Sequence, residues 1–489
     1  MRHAHGSVTV FRMKKLTRLT IAGALLALGL GPAAAPALAA TQPAATAPGA
    51  QTLNGTLPDG ATWKIEVPAN WNGTLFLYSH GYVTPGSANP ATDAGDPLTA
   101  AAMLAQGFAL AGSSYATTGW AIQQALPDQI STLDIFDSQV GHPQRTIAWG
   151  HSLGGIITAG LIQTFPNRFS GALPMCGVLS GGVATWNTAL DAAFAFQQLI
   201  DPAVQIVNIT VPPTNPTANL QGAEAAAAAA QATPQGQARL ALTAALGDTP
   251  GWFTPLSPEP AAKDFTSQEA NQFKWESQVD FPFAFFLRAE LEGRAGGNPS
   301  WNTGVDYVRD LRKSSDFGEV KALYKAAGLS LSKDLETLNH AARISANPAS
   351  VSYLEQNITF DGTLPGPVLT MHTTGDGLVV NQNEQAYASV VRRAGDPALL
   401  RQIFVHRAGH CAFTPAETVT AAHVLLQRLS TGKWDDRALR PANLNTAAAA
   451  LDPSLNVFFS GGQLVPTPPA FVTFHPTQYL RPFDRLMTH

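Results

Sequence analysis

The stretch RTIAWGHSLGGIITAG, Arg145–Gly160, limits what this chain can fold into more than any other part of it. Its first residues form a short apolar run, which reads as a buried strand, and its last residues are small and aliphatic, as in a buried helix. Between them Gly150 and Gly154 bracket Ser152. A chain that turns sharply from strand to helix presses backbone on backbone at those flanks, so a side chain there has no room. The Ser then projects above the strand end. The following amide, that of Leu153, lies at a helix N-terminus, where N–H groups have no intrahelical acceptor. GxSxG alone can be a plain turn that packs helix on strand. Set between TIAW and GIITAGLI, it reads as an elbow that displays a nucleophile. Gly155 reads as the position that lets the helix pack close to its neighbours.

A Ser hydroxyl is a poor nucleophile near neutral pH. It needs a base for its proton, an acid to orient that base, and N–H donors for the oxyanion that forms. Twelve His are available. His151 adjoins Ser152 and cannot easily turn back to it. His80 and His372 lie in or at the ends of expected strands and read as satisfied core or loop residues. His410 sits in the Gly-bearing loop RAGHCAF, after the strand-like QIFV and before the last long helix. That is where a base arrives in the chain order Ser, Asp, His. His406, the nearest competitor, reads as strand-terminal. Asp376, in MHTTGDGLVV, ends the run PVLTMH between Gly375 and Gly377, as a loop that presents a carboxylate in a fixed direction would. Asp334 and Asp361 read as surface residues of the helical segment before it. The second oxyanion donor is expected from YSHGY after the strand TLFL, as the amide of Tyr82, with an ordinary Gly turn as the alternative. HExxH, CxxC, a GxGxxG after a strand and a P-loop are all missing, so neither a metal nor a cofactor is expected.

With 489 residues, of which 45% are hydrophobic, the chain can bury a large core. Only 13% of residues are charged, the net charge is −4, and no basic patch appears, so nucleic acid is not an expected partner. Met13–Arg18 is basic, Leu19–Leu30 apolar, and Ala37-Leu38-Ala39 small, which together read as a signal peptide over residues 1–39, with Met13 as an alternative start. The apolar run is short for a bilayer span, so stable membrane insertion is not expected. The expected location is outside the cytoplasm, extracellular or periplasmic, after cleavage near Ala39. In an exported protein the two cysteines, Cys176 and Cys411, suggest one disulfide, and two buried free thiols are the alternative.

Residues 40–51 read as an Ala/Pro/Thr linker. Over 52–180 the chain alternates strands and helices after a hairpin around Asp59-Gly60, the pattern of a mostly parallel sheet covered on both faces. The alternation stops over 181–364, an expected helical insertion that includes an Ala-rich stretch. Its aromatic run, Phe281, Phe283, Phe285 and Phe286, reads as core packing or as the lining of an apolar pocket. The βα pattern resumes over 365–435. Residues 436–489, Pro-rich and aromatic, are expected to wrap the core surface.

The motifs Gly-His-Ser-Leu-Gly-Gly, His-Gly-Tyr, the Asp376 loop and the His410 loop together resemble the α/β-hydrolase superfamily. The resemblance covers roughly Thr52–Ser180 and Pro365–Leu429, with the insertion in the usual lid position. It implies an α/β-hydrolase fold with a mostly parallel central sheet and a large, mainly helical lid. The lid and the His410-Cys411 pair are also similar to the secreted tannase and feruloyl esterase group, in which a Cys beside the nucleophile is joined to a Cys beside the base. Here His151, not Cys, precedes Ser152, so a bridge from Cys411 has Cys176 as its partner. The departure removes the basis for carrying over an aromatic-ester substrate.

The resulting expectation is an exported serine hydrolase of carboxylic esters. Ser152, His410 and Asp376 form its triad, and the amides of Leu153 and Tyr82 its oxyanion hole. Its partner is a small-molecule or polymeric ester substrate. An amidase or peptidase on the same fold is the first competitor, because triad residues do not distinguish the bonds. A non-catalytic binding or polymer-adhesion module is the second. Acyl and alcohol preference and oligomeric state are not encoded in readable motifs.

Overall fold

A computed structural model describes residues 49–210, 215–460 and 463–487. The expected signal peptide, its cleavage site near Ala39 and most of the expected linker lie outside the described residues. The strands run in chain order β1 (Gln51–Thr56), β2 (Thr62–Val67), β3 (Thr74–Ser79), β4 (Ala109–Ser113), β5 (Arg145–His151), β6 (Gly171–Met175), β7 (Val368–Gly375), β8 (Leu400–Ala408), β9 (Val457–Ser460), β10 (Gln463–Pro466) and β11 (Phe471–Val472). Among the described residues, nine of them form one sheet in the order β1-β2-β4-β3-β5-β6-β7-β8-β11, and β9 and β10 pair as a separate hairpin. From β4 through β8 every pairing is parallel; β1–β2, β2–β4 and β8–β11 are antiparallel. With helices joining the parallel strands, this is the α/β-hydrolase fold.

The parallel strands are buried on both faces, and alternate residues serve opposite cores, as the period of two requires. Leu75 and Leu77 of β3 face one cluster together with Ile156 and Ile157 of the helix Leu153–Thr164. Phe76 and Tyr78 face the other, with Val419 and Leu425 of the helix Pro415–Thr431. The two cores hold the central sheet rigid on both sides, so the loops at the strand C-termini stand on a fixed platform.

Between β6 and β7 the chain is helical, from Gly182–Leu199 to Pro348–Gln356. The Ala-rich stretch forms two helices, Pro216–Gln231 and Pro234–Leu246, each opened by Pro after a side-chain cap, Asn215 and Thr233. This segment has a hydrophobic cluster of its own, centred on Phe194, Phe196, Leu240 and Tyr324. It contains two π-helical turns, Glu276–Asp280 and Phe283–Leu287. The C-terminal extension does more than wrap the surface. Phe471 and Val472 add β11 to the edge of β8, and the helix Pro441–Ala449 packs beside them. Edge pairing satisfies backbone groups that β8 would otherwise leave open. No helix among the described residues is long and apolar enough to cross a membrane.

Candidate active site

Ser152 sits at the turn from β5 into the helix Leu153–Thr164 with φ 59° and ψ −123°, a conformation that non-glycine residues seldom adopt. Its amide donates to Met175 O at 3.0 Å, which ties the turn to the end of β6. The flanking glycines are required by contact rather than by torsion. A Cβ on Gly154 would lie 1.9 Å from Ser79 O, and one on Gly150 would lie 2.4 Å from the same atom. Gly155 meets Gly177 just as closely, 2.4 Å from a built Cβ to the Gly177 Cα, so the helix rests directly on the loop after β6.

Asp376 follows β7 and is fully buried. Its Oδ1 accepts the amides of Leu378 at 3.1 Å and Val379 at 3.0 Å, and its Oδ2 accepts from His410 Nδ1 at 2.7 Å. Burial pushes this carboxyl up, but the facing charges and hydrogen bonds of His410 and His372 outweigh burial and hold it at about 2. Because Nδ1 of His410 carries the proton shared with Asp376, its Nε2 remains an acceptor. Nε2 lies 3.4 Å from Cys411 Sγ, and no Ser152–His410 hydrogen bond forms in this geometry.

The His410 loop is clamped from both ends. Arg407 donates to Glu417 through Nη1 at 2.7 Å and Nη2 at 3.0 Å and also to Ala412 O at 2.6 Å. Thr414 and Glu417 form a reciprocal capping box at the next helix, and Thr373 Oγ1 donates to Gly409 O at 2.8 Å. Cys176 and Cys411 are joined in a disulfide with their Cα atoms 5.4 Å apart. Cys176 directly follows Met175, whose carbonyl receives the Ser152 amide, so the bridge fastens the His410 loop next to the Ser152 turn. Cys176, His410 and Cys411 converge within 4.8 Å. The bridged sulfurs offer no thiolate for a metal.

His151 stands where the lidded relatives in the resemblance carry Cys. Its Nδ1 is hydrogen-bonded to Tyr78 OH at 3.1 Å, and burial, with the nearby His410, pushes its pKa down to about 4. It is a neutral spacer under the loop. His80 positions the candidate oxyanion loop: its ring nitrogens reach Gly81 O at 2.7 Å and Ser114 O at 3.0 Å, and the ring stacks on Tyr115. His406 faces Glu259 and Trp252, away from Asp376.

His372, which reads from the sequence as a satisfied core residue, lies directly behind Asp376. Its Nε2 is 2.7 Å from Val379 O and 3.5 Å from Asp376 Oδ2, and its Nδ1 is 3.1 Å from Glu384 Oε1. Burial alone would lower its pKa, yet hydrogen bonds to Asp376 and Glu384 carry it up to about 10. Glu384, on the helix Gln382–Ala394, has no motif around it that marks it as part of a site. Asp334, expected at the surface, is instead buried and paired with Arg239 at 2.8 Å.

Ser152, Leu153 and Tyr82 line one cavity of about 140 Å³, roofed by the helical segment through Trp186 and Phe283 and bordered by Trp120 from the loop after β4. The Phe run contributes Phe281, Phe283 and Phe285 to its wall, and Phe281 and Phe285 are also buried in the packing beneath. Core packing and pocket lining thus coincide. Two carboxyls, Glu276 and Asp280 on the first π-helical turn, also line it, and no Lys or Arg does. Glu276 is 3% exposed and neither of its oxygens has a partner. Burial, reinforced by Asp280 and Glu269, pushes Glu276 well above the usual carboxylate range. Burial and the Asp376 charge do the same to Asp280.

No family model matches the chain. In sequence it is similar to the o-phthalyl amidase of Xanthobacter agilis, with 30% identity over 425 residues, 81% of this chain and 90% of the relative. Among solved structures it is similar to feruloyl esterase B from Aspergillus oryzae, with 16% identity, a TM-score of 0.37, and coverage of 79% of this chain and 81% of that one. It is also similar to the rice cell wall degrading esterase LipA from Xanthomonas oryzae, with 12% identity, a TM-score of 0.33, and coverage of 72% and 81%.

Proposed function

This chain belongs to the same family as the o-phthalyl amidase and is a hydrolase on an α/β fold; on that premise we propose that it is an exported serine hydrolase cleaving carboxylic esters of a ring-bearing acyl group. The observation that carries the reading is the junction at Ser152. A strained strand-to-helix turn faces a cavity, and the His410–Asp376 pair is anchored beside it by the Cys176–Cys411 bridge. An apolar cavity of about 150 Å³ holds one benzene ring, and the cavity over Ser152 is about 140 Å³.

In this reading Ser152 Oγ attacks the acyl carbon while its proton passes to His410 Nε2. The carbonyl oxygen becomes an oxyanion held by the amides of Leu153 and Tyr82. Asp376 balances the imidazolium. Collapse breaks the bond to the leaving alcohol, which takes the proton from His410, and an acyl-enzyme remains. Water, deprotonated by His410, releases the acid and restores Ser152. Export is supported by the leader-like segment of the sequence and by the disulfide. A second reading, hydrolysis of amide bonds by the same steps with an amine leaving, is favoured by the relative's printed activity.

Matched 4-nitrophenyl benzoate and benzoyl 4-nitroanilide separate the two readings, with the ester expected to turn over faster. A fluorophosphonate is expected to label Ser152 in the wild type. Ser152→Ala is expected to lose the label and about 10⁶-fold in kcat. An unlabelled wild type would sink the serine mechanism, and faster anilide turnover would exchange the two readings.

A further inference from the structure

We propose that His372 is a permanently charged, buried imidazolium, held by Glu384, that sets the pH range over which His410 is free to act as a base. This rests on the triad reading above for its consequence; the charge of His372 is inferred from the donors on Glu384 and the carboxylate beside Nε2. Glu384 Oε2 receives Thr370 Oγ1 and Gln402 Nε2, and Gln402 also donates to the Glu384 carbonyl at 2.9 Å. Two donors on Oε2 stabilise the ionised form of Glu384, and one hydrogen lies between Oε1 and His372 Nδ1. The Asp376 carboxylate, 3.5 Å from Nε2, favours positive charge on the ring, so we assign that hydrogen to His372 Nδ1, 3.1 Å from Oε1. Nε2 lies 2.7 Å from Val379 O, a carbonyl that can only accept, so it carries one as well. A ring with hydrogens on both nitrogens is an imidazolium. The site is dry: His372, Thr370, Asp376 and Glu384 are each fully buried.

The chain of charges is then Glu384 negative, His372 positive, Asp376 negative, with His410 at its open end. An ion in a buried site is tolerated when its neighbours neutralise it, and each member here has an opposite neighbour. The consequence falls on His410. Asp376 alone would favour the protonated form of His410 and silence the base in mildly acid solution. A fixed positive charge 3.5 Å from the Asp376 carboxylate cancels part of that field where His410 meets it. Other titratable groups face this array. Asp280 approaches Asp376 from the helical segment, His151 approaches His410 from the end of β5, and Tyr387 approaches Glu384 on the same helix. Burial favours the neutral form of each, so none of them substitutes for the His372 charge. His372 and Glu384 are positioning residues; neither touches the cavity.

The test reads the acid limb of the kcat/KM–pH profile. Glu384→Gln removes the counter-ion and neutralises His372; His372→Gln removes the charge while keeping a donor toward Val379 O. Both are expected to move the acid limb upward by about one pH unit, the size of a charge acting over several ångströms at a protein-like dielectric. Glu384→Asp should restore part of the shift. A purely structural role would lower kcat or stability and leave the limb where it is, which would overturn the proposal. Because the variants could fold poorly, the wild type supplies a second readout. With histidines labelled by ¹⁵N, and the His372→Gln spectrum for assignment, both ring nitrogens of His372 should show the protonated shift from pH 5 to 8.5. A neutral tautomer anywhere between pH 5 and 8.5 overturns the proposal. That measurement needs no turnover, so it stands apart from the failure of fluorophosphonate labelling, which would reject the serine mechanism instead.

Discussion

Two sets of buried carboxyls flank Ser152, one behind the His410 loop and one on the cavity wall, and they are built in opposite ways. On the sheet side, Asp376 and Glu384 are fully buried and every oxygen has a donor or a cation facing it. On the helical side, Glu276 is almost as buried, yet neither oxygen has a partner and no cation lines the cavity it borders. The same burial penalty thus ends in opposite shifts: Asp376 is held at about 2, whereas burial, reinforced by Asp280 and Glu269, pushes Glu276 well above the ordinary range. Burial disfavours the charged form in both places, and only organised partners reverse it. The sheet side is therefore built on paired charges, and the helical side on carboxyls that burial drives toward the neutral form.

The largest expected effect comes from breaking the charged side at its centre. Asp376→Asn keeps the shape but cannot hold His410 in the same tautomer, and should lower kcat by about 10⁴-fold. A loss of less than tenfold, measured on a substrate that the wild type turns over, would remove Asp376 from the triad. Next in size is the bridge that holds the His410 loop against this side. Cys176→Ser with Cys411→Ser opens a link across 235 residues, and should cost about 2–5 kcal/mol in denaturant unfolding. An unchanged unfolding midpoint would mean that the Arg407–Glu417 clamp alone secures the loop.

The smallest effect sharpens the contrast through pH. The folded-state pKa of Glu276 is raised, so its contribution to stability is present below the unfolded value and is lost as pH rises toward the folded one. Asp376 is depressed, so its contribution is present above the unfolded value and is lost as pH falls toward about 2. Glu276→Gln should therefore flatten the fall in Tm between pH 5 and 8, raising Tm at pH 8 by about 2 °C relative to the wild type. If the two Tm–pH curves run parallel, Glu276 is not the group that titrates.

The elbow was legible because a steric demand leaves a residue-type signature: Gly150 and Gly154 face the Ser79 carbonyl too closely for any Cβ. Asp376 and His410 were singled out from their place after strands in chain order, and the structure brings them into hydrogen-bond contact at 2.7 Å. Asp334 misled because a charged residue in a helical segment is usually solvated, whereas Arg239 and Tyr324 enclose this one. His372 and Glu384 were not legible as a unit. They come from a strand and the following helix, and neither a spacing nor a turn requirement links an inward-facing His to an inward-facing Glu. Glu276 was equally silent, since only its π-helical turn aims it into the cavity.

What the sequence determined by itself was local and steric: the strand-to-helix turn at Ser152, the alternation of strands and helices, and the small set of residues able to act as base and acid. These follow from backbone geometry, which nearby residues dictate. What only the tertiary structure decided was electrostatic: which buried carboxyl is charged, which His is an imidazolium and which a neutral spacer, and where the Cys176–Cys411 link lands beside Ser152. Those outcomes depend on partners brought together from segments far apart in the chain. The energy of a buried charge is set by its neighbours in space and not by its neighbours in sequence.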